Sequence, residues 1–353
     1  MTMGMKKYMI LLSALIFVAC AETPKSDNTN PQQSVTSVEQ HEVTDINSSG
    51  DELLLLCDSI AMDSTNSMLF VRRAKAYLSR EMIGEAMVDV NKALSLDKAN
   101  IDAYLILSDI YYGLGDQNNI TIALNKAIEM NPYDTRPMVK MAELSILQRN
   151  YPLANGYLDN ALKVNRYNPK AYFVRGMLYL AQQDTTRALR SFLISREQDG
   201  SFYEPLHKIG QLYALQGNQF AEDYLRMAVK EFPEHYLSRY ELALFIQDNG
   251  KPDEALAHYD TLLMVAPNNS RFLYNKGYVH FVYLSNYETA LEYFDQSLAN
   301  DPDYLDALYN KGCVYEKMGN YNKAKTIFSE VLQRNPNYEL AIYAMNRIQN
   351  QMD

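Results

Sequence analysis

An all-α fold, a solenoid of stacked antiparallel helical hairpins, is predicted by three observations on this 353-residue chain. From residue 67 to residue 338 the sequence returns on itself about every 34 residues. Within each return a small residue recurs at the eighth place, as Ala74, Ser108, Ala142, Gly176, Gly210, Ala243, Gly277 and Gly312. Glycine and proline then fall where helices should stop: Gly115, Gly217, Gly250 and Gly319 end first helices, and Pro132, Pro233, Pro267, Pro302 and Pro336 close second helices. A chain of this length exceeds one ordinary core, and a repeat array lets each unit bury its apolar face against its neighbours.

The chain opens with Lys6 and Lys7 ahead of an apolar run from Tyr8 to Val18, the layout of a signal peptide over residues 1–19. The run is short of the about 20 apolar residues that a membrane-spanning helix needs. Phe17-Val18-Ala19-Cys20 resembles the lipobox of bacterial lipoproteins, with Phe17 where leucine is usual. That resemblance implies cleavage before Cys20 and its acylation by several chains, enough for stable anchoring where one chain is marginal. An ordinary secretory signal with an incidental Cys20 and an uncleaved anchor are the alternatives, and each puts the body outside the cytoplasm. Ala21-Glu22 lacks the aspartate retention signal known in some bacteria, which favours the outer membrane, facing the periplasm, in an organism that has one, with export to the cell exterior as the alternative.

Residues 20–50 are rich in Ser, Thr, Asn, Gln and acids and show no helical or strand period, so they read as a disordered tether behind the lipidated cysteine. Thirty such residues would span about 30 Å on average and roughly 100 Å at full stretch. Next, Leu53 to Leu56 and Ile60 mark a capping helix within 51–66. A repeat array needs such caps because its end units would otherwise expose core.

The repeats are placed at 67–100, 101–134, 135–168, 169–202, 203–235, 236–269, 270–304 and 305–338. The small eighth place lets the two helices of a hairpin approach closely, and bulk there would splay them. Small residues also dominate the twentieth place, from Ala86 to Ala324, with Ile120 the exception. Large side chains fill the space between: Tyr77, Tyr111, Tyr179, Tyr213 and Tyr315 late in first helices, and Leu124, Leu158, Phe192, Leu225, Tyr259, Phe294 and Phe328 in second helices. Residues 339–353, with Leu340, Ile342, Tyr343, Met345 and Ile348, read as a closing amphipathic helix.

The run Leu308-Tyr-Asn-Lys-Gly312, Tyr315, Gly319-Asn-Tyr321-Asn-Lys-Ala324, Phe328 and Pro336 resembles the tetratricopeptide repeat family. The resemblance implies a right-handed superhelix whose first helices line a concave groove. Three departures stand out: repeat five is one residue short in its central turn, repeat seven is one residue long near Leu284 to Asn286, and no tryptophan fills the fourth place.

Chemistry finds little purchase in this sequence. The five histidines, His41, His207, His235, His258 and His280, form no close ligand pair, and His280 stands where other repeats carry a packing tyrosine. Phosphate loops, nucleophile elbows and His-Glu-x-x-His patterns are absent, so no catalytic residue, metal or cofactor is expected. Besides Cys20 there are only Cys57 and Cys313, too far apart in a linear stack to meet in a disulfide. Acids outnumber bases by 43 to 33, and losing Lys6 and Lys7 makes the mature balance 43 to 31, net −12. An acidic body argues against nucleic acid as a partner.

Helical spacing sends the second, fifth, ninth and twelfth places of each repeat toward the implied groove. In later repeats these hold Phe173, Met177, Tyr240, Leu244, Tyr274, Tyr278, Phe281 and Tyr309, an apolar density suited to a docking peptide or helix. Packing into the core is the competing reading for the same residues. Earlier repeats carry Asp102, Asp109, Arg136, Lys140, Glu143, Lys170, Glu204 and Lys208, open to polar partners or to solvent. The lysine and asparagine set with which some family members hold a chaperone's C-terminal carboxylate is missing, since Asp306 and Cys313 occupy its places. The expected function is that of a membrane-anchored adaptor for envelope proteins or peptides. A periplasmic chaperone holding extended clients is the alternative, and a structural homodimer a third arrangement.

Overall fold

The computed structural model describes residues 46–352. The signal segment 1–19, Cys20 and the tether as far as residue 45 lie outside the described residues. Among the described residues there are eighteen helices and no strand. The first, α1, spans Ile46–Met62, so it begins inside the stretch read as tether and ends ahead of residue 66. Leu56 and Ile60 are its buried anchors. Asn66 then starts the next helix: its extended backbone, φ −81 and ψ 103, lets the side chain accept from the Met68 N–H.

Eight helical hairpins follow. They pair α2 (Ser67–Leu78) with α3 (Ile83–Leu96), α4 (Ile101–Gly113) with α5 (Gln117–Met130), α6 (Thr135–Leu147) with α7 (Tyr151–Val164), and α8 (Pro169–Ala181) with α9 (Thr185–Gln198). After α10 (Tyr203–Leu215) and α11 (Phe220–Glu231) come α12 (Tyr236–Asp248) with α13 (Pro252–Val265), α14 (Ser270–Val282) with α15 (Tyr287–Asn300), and α16 (Leu305–Lys317) with α17 (Tyr321–Arg334). Helix α18 (Glu339–Met352) ends the series. The chain divides into two compact units, one ending at Ile209 and the other starting at Gly210, with the division inside α10.

Asparagine and aspartate start most of these helices. Asn100, Asp134, Asn168 and Asn269 cap first helices, and Asp116, Asn150, Asp184, Asn286 and Asn320 cap second helices, each accepting from a backbone N–H two or three residues on. Between the helices of every hairpin one residue turns left-handed. Gly115, Gly217, Gly250 and Gly319 fill that place in four hairpins, and Glu81, Arg149, Gln183 and Ser285 fill it in the others. Glycine therefore marks only half of the turns that the geometry demands.

The two irregular repeats are absorbed in these turns. Normally the cap residue's carbonyl accepts from the N–H four residues on, as Asp116 does from Ile120. In repeat five the bond is one residue tighter, from Ala221 N–H to the Asn218 carbonyl, and Gln219 sits at the cap in helical conformation without a side-chain bond. In repeat seven the turn is wider: Asn286 N–H reaches back six residues to the His280 carbonyl, where Asp116 N–H reaches five to Tyr111.

In the first unit the core runs through Phe70, Val90, Leu124, Leu158, Val174 and Phe192, and in the second through Leu225, Leu242, Tyr259, Phe294, Phe328 and Ile348. The large second-helix residues enter the space left by the small eighth place. A Cβ added at Gly176 would lie 2.4 Å from Phe192, at Gly277 2.8 Å from Phe294, and at Gly312 2.6 Å from Phe328. Three ion pairs sixteen residues apart tie a second helix to the next first helix: Asp159 to Arg175 at 2.6 Å, Asp260 to Lys276, and Asp295 to Lys311 at 2.5 Å.

Candidate binding surface

The fifth place of the repeat carries an aromatic ring in α8, α12, α14 and α16: Phe173, Tyr240, Tyr274 and Tyr309. Each leans on the large residue of its own second helix, Phe173 on Phe192 at 5.5 Å between centroids, Tyr240 on Tyr259 at 6.4 Å, Tyr274 on Phe294 at 5.8 Å and Tyr309 on Phe328 at 5.5 Å. Three of them also meet an aromatic from the loop that follows: Phe202 lies 5.3 Å from Phe173, Tyr304 5.0 Å from Tyr274, and Tyr338 5.5 Å from Tyr309. The fifth place is thus shared between core and surface.

For Phe173 the core wins. With Phe192 on one side and Phe202 on the other, and the Lys170 ammonium over its ring at 5.2 Å, it keeps only 9% of its surface. Its expected place on an open groove is corrected to a packing role. Met177, one turn on, stays half-buried in the first unit.

In the second unit Tyr240, Leu244, Tyr274, Tyr278, Phe281 and Tyr309 are all half-buried, rooted in the core and still reached by solvent. Tyr274 and Tyr278 lie 6.1 Å apart along one face of α14. Asparagines of the following first helix fix two of these rings from the hydroxyl end. Asn275 donates to the Tyr240 hydroxyl at 3.0 Å and Asn310 donates to the Tyr274 hydroxyl at 3.0 Å. The row is consequently held in position before any partner arrives, which lowers the ordering cost of binding. Tyr343 continues the fifth place into α18 and is 67% exposed.

The sequence alone sets Asn275 and Asn310 aside as too common to carry weight at the groove places, and it does not single out Tyr304 or Tyr338. The asparagines look unremarkable singly, and their signal lies in the offsets of 35 and 36 residues to a fifth-place tyrosine.

The mixed charges of the first unit are largely turned on one another. Asp102 pairs with Arg136 at 2.5 Å, Asp109 with Lys140, and Glu143 with Lys170 at 3.3 Å, each across neighbouring first helices. Such pairs, exposed to solvent, contribute at most about 1 kcal/mol each. They leave less free charge for a partner than the sequence suggests.

His280 packs its ring on Tyr293 at 5.6 Å in a near-parallel stack, and Lys276 approaches the same ring at 4.4 Å. Burial, then the Lys276 charge, lowers the histidine's pKa. Burial pushes the Cys313 thiol up to about 11, so it stays protonated beside Tyr309. Cys57 and Cys313 are both free thiols. Among the described residues, no group of three or more His, Cys, Asp or Glu side chains is arranged to hold a metal ion, and no helix is long and apolar enough to cross a membrane.

The tetratricopeptide repeat family matches residues 101–134, 146–201, 247–304 and 305–338, together more than half of the chain. Anaphase-promoting complex subunit 3 of Schizosaccharomyces pombe is 23% identical over 272 residues, which cover 74% of this chain and 39% of that protein. A tetratricopeptide-repeat-containing protein of Methanocaldococcus jannaschii is 25% identical over 267 residues, covering 73% of this chain and 36% of its own length. The chain therefore spans well under half of either relative. Among solved structures, the Cut9–Hcn1 hetero-tetramer of the anaphase-promoting complex aligns with a TM-score of 0.55 at 17% identity, over 85% of this chain and 59% of that one. That likeness is one of fold alone.

Proposed function

This chain belongs to the tetratricopeptide repeat family, and from that premise we propose that it is a protein-interaction scaffold, anchored to the bacterial envelope through a lipid on Cys20, which gathers partner proteins on its first-helix face. The observation that carries the reading is the aromatic row of the second unit, in which Tyr240, Tyr274, Tyr278 and Tyr309 are locked by core contacts yet keep solvent-facing surface. Rigid aromatic side chains bury large area at little entropic cost and are enriched among residues that dominate binding energy. Leu244 and Phe281 extend the apolar character of that face, and Met177 is a half-buried apolar residue of a first helix in the first unit, taken by itself. The anchoring part rests on the signal layout of residues 1–19 and the sequence before Cys20. A position on the outer membrane facing the periplasm belongs to the same reading.

Affinity purification from native membranes after mild crosslinking tests it, with the wild type compared against Tyr274→Ala plus Tyr278→Ala. An adaptor retains one or two folded proteins in fixed ratio, and the double variant loses them while staying helical. Many weakly held unfolded clients would point instead to a chaperone, and undiminished binding by the variant would move recognition off this face. For the anchor, Cys20→Ser should shift the protein from the membrane fraction to the soluble one.

A further inference from the structure

Two carboxylates beside the aromatic row have no cationic partner among the described residues. Asp248, the last residue of α12, accepts the Tyr283 hydroxyl, and Asp306, in the first turn of α16, accepts the Tyr338 hydroxyl at 2.5 Å. A phenol satisfies a carboxylate's hydrogen bonding but brings no positive charge, so each acid keeps its full charge at the surface. Both are exposed. Their field reaches the rings: burial and then Asp248 raise the pKa of Tyr278, while burial, the Tyr304 phenol and then Asp306 raise that of Tyr274.

The nearby cations act on groups other than Tyr274 and Tyr278. Arg347 is held by both oxygens of Glu316 at 2.6 Å. Arg271, in the first turn of α14, acts on Tyr240 and Tyr304. The charged groups that act on Tyr274 and Tyr278 are thus Asp306 and Asp248, and ring faces attract cations.

We propose that this stretch takes a basic, apolar segment of a partner polypeptide, its lysine or arginine side chains lying over Tyr274 and Tyr278 toward Asp306 and Asp248 while apolar neighbours cover Leu244 and Phe281. The proposal rests on the reading of this face as the partner-binding surface and adds the chemistry of what binds. An acidic segment is disfavoured by the same two carboxylates and by the chain's net charge of −10.

Fluorescence anisotropy on the full chain in detergent tests it with two labelled peptides of equal length, one alternating Leu and Lys, the other alternating Leu and Glu. The wild type should prefer the lysine peptide by about 10-fold or more at about 0.1 M salt. Asp248→Asn plus Asp306→Asn keeps an acceptor oxygen for each tyrosine and should weaken the lysine peptide by about 10-fold, leaving the glutamate peptide unchanged or tighter. Asp253→Asn plus Glu288→Gln, an equal change of charge elsewhere in the second unit, should leave both affinities near wild type. Equal wild-type affinity for the two peptides, no binding of the lysine peptide, or a loss no larger in the Asp248 and Asp306 pair than in the control pair overturns the charge assignment. The Tyr274→Ala plus Tyr278→Ala variant separates the two levels: if it weakens both peptides the face stands whatever its charge preference, and if it weakens neither, the face itself is not the site.

Discussion

The Phe328 ring occupies the space in which a side chain at Gly312 would begin: a Cβ added to Gly312 would lie 2.6 Å from Phe328 Cε1. Phe328 is fully buried in a cluster with Leu308, Val331, Ala341 and Ile348, so it has little room to withdraw. The same relation joins Gly176 to Phe192 and Gly277 to Phe294. Repeats that carry alanine at the eighth place have a different filler, as Ala142 opposite Leu158 in the third.

Gly312→Ala should therefore destabilise the protein by about 1–3 kcal/mol, the usual cost of overpacking, read as a lower denaturant midpoint. Gly156 gives the opposite sign. It lies in the middle of α7, exposed, with nothing within 4 Å of an added Cβ, so Gly156→Ala should stabilise by about 0.5–1 kcal/mol. If both substitutions moved the midpoint the same way, the eighth place would be reporting glycine's helix propensity rather than the ring.

The left-handed turn makes a second contrast. Gln183 and Glu81 hold φ of 61 and 59 at the place where Gly319 holds 75. The left-handed conformation costs a non-glycine residue about 1–2 kcal/mol, against which glycine's looser unfolded chain takes back part. Gln183→Gly and Glu81→Gly should each be neutral to stabilising by about 1 kcal/mol, whereas Gly319→Ala should cost about 1 kcal/mol. Hydrogen exchange of the adjoining helix ends would localise the effect, and a destabilising Gln183→Gly would show that the side chain contributes more than the turn strain removes.

Most of the fold was legible because its determinants repeat: a small eighth place, large second-helix residues and a period near 34 residues are visible without coordinates. What was not legible depends on pairs. Glycine identifies the left-handed turn at Gly115 and Gly319, but Glu81 and Ser285 carry no sign of it. Periodicity puts Phe173 and Tyr274 in the same place, yet Phe173 is enclosed by Phe192, Phe202 and Lys170, while Tyr274 is only partly covered. Asn310 and Asp306 become parts of the surface only through Tyr274 and Tyr338, which the sequence does not pair with them.

A buried polar pair in the second unit yields a sharper stability test. Tyr259 and Gln247 are both buried, and the Tyr259 hydroxyl donates to Gln247 Oε1 at 2.8 Å. Tyr259→Phe keeps the ring but strands the amide oxygen, which should cost about 1–3 kcal/mol. Adding Gln247→Leu removes the stranded group, so the double variant should recover much of the loss in a thermal or denaturant melt. A double variant less stable than Tyr259→Phe alone would mean that Gln247 serves other contacts more than this bond.

Acid sensitivity should come in two stages, and histidine sets the first. His280 packs against Tyr293 with its Nδ1 buried and unpaired, and burial followed by Lys276 lowers its pKa; burial followed by Arg239 lowers that of His258. In the unfolded chain both titrate near about 6.5. A base with a lower pKa when folded takes up its proton more readily after unfolding, so stability is full above about pH 6.5 and declines as pH falls through that value toward the folded pKa. Carboxylates act in the same sense at lower pH: the Arg187 backbone and side chain hold the Asp184 pKa down, so its contribution is present above about pH 4 and is lost as pH falls below it. Replacing His280 by the tyrosine that five other repeats carry at that place should flatten the decline between about pH 7 and pH 5 and leave the second stage unchanged. Denaturant midpoints of wild type and His280→Tyr across pH 4–8 would decide it, since an identical slope in both would assign the first stage to His258 or to groups outside this pair.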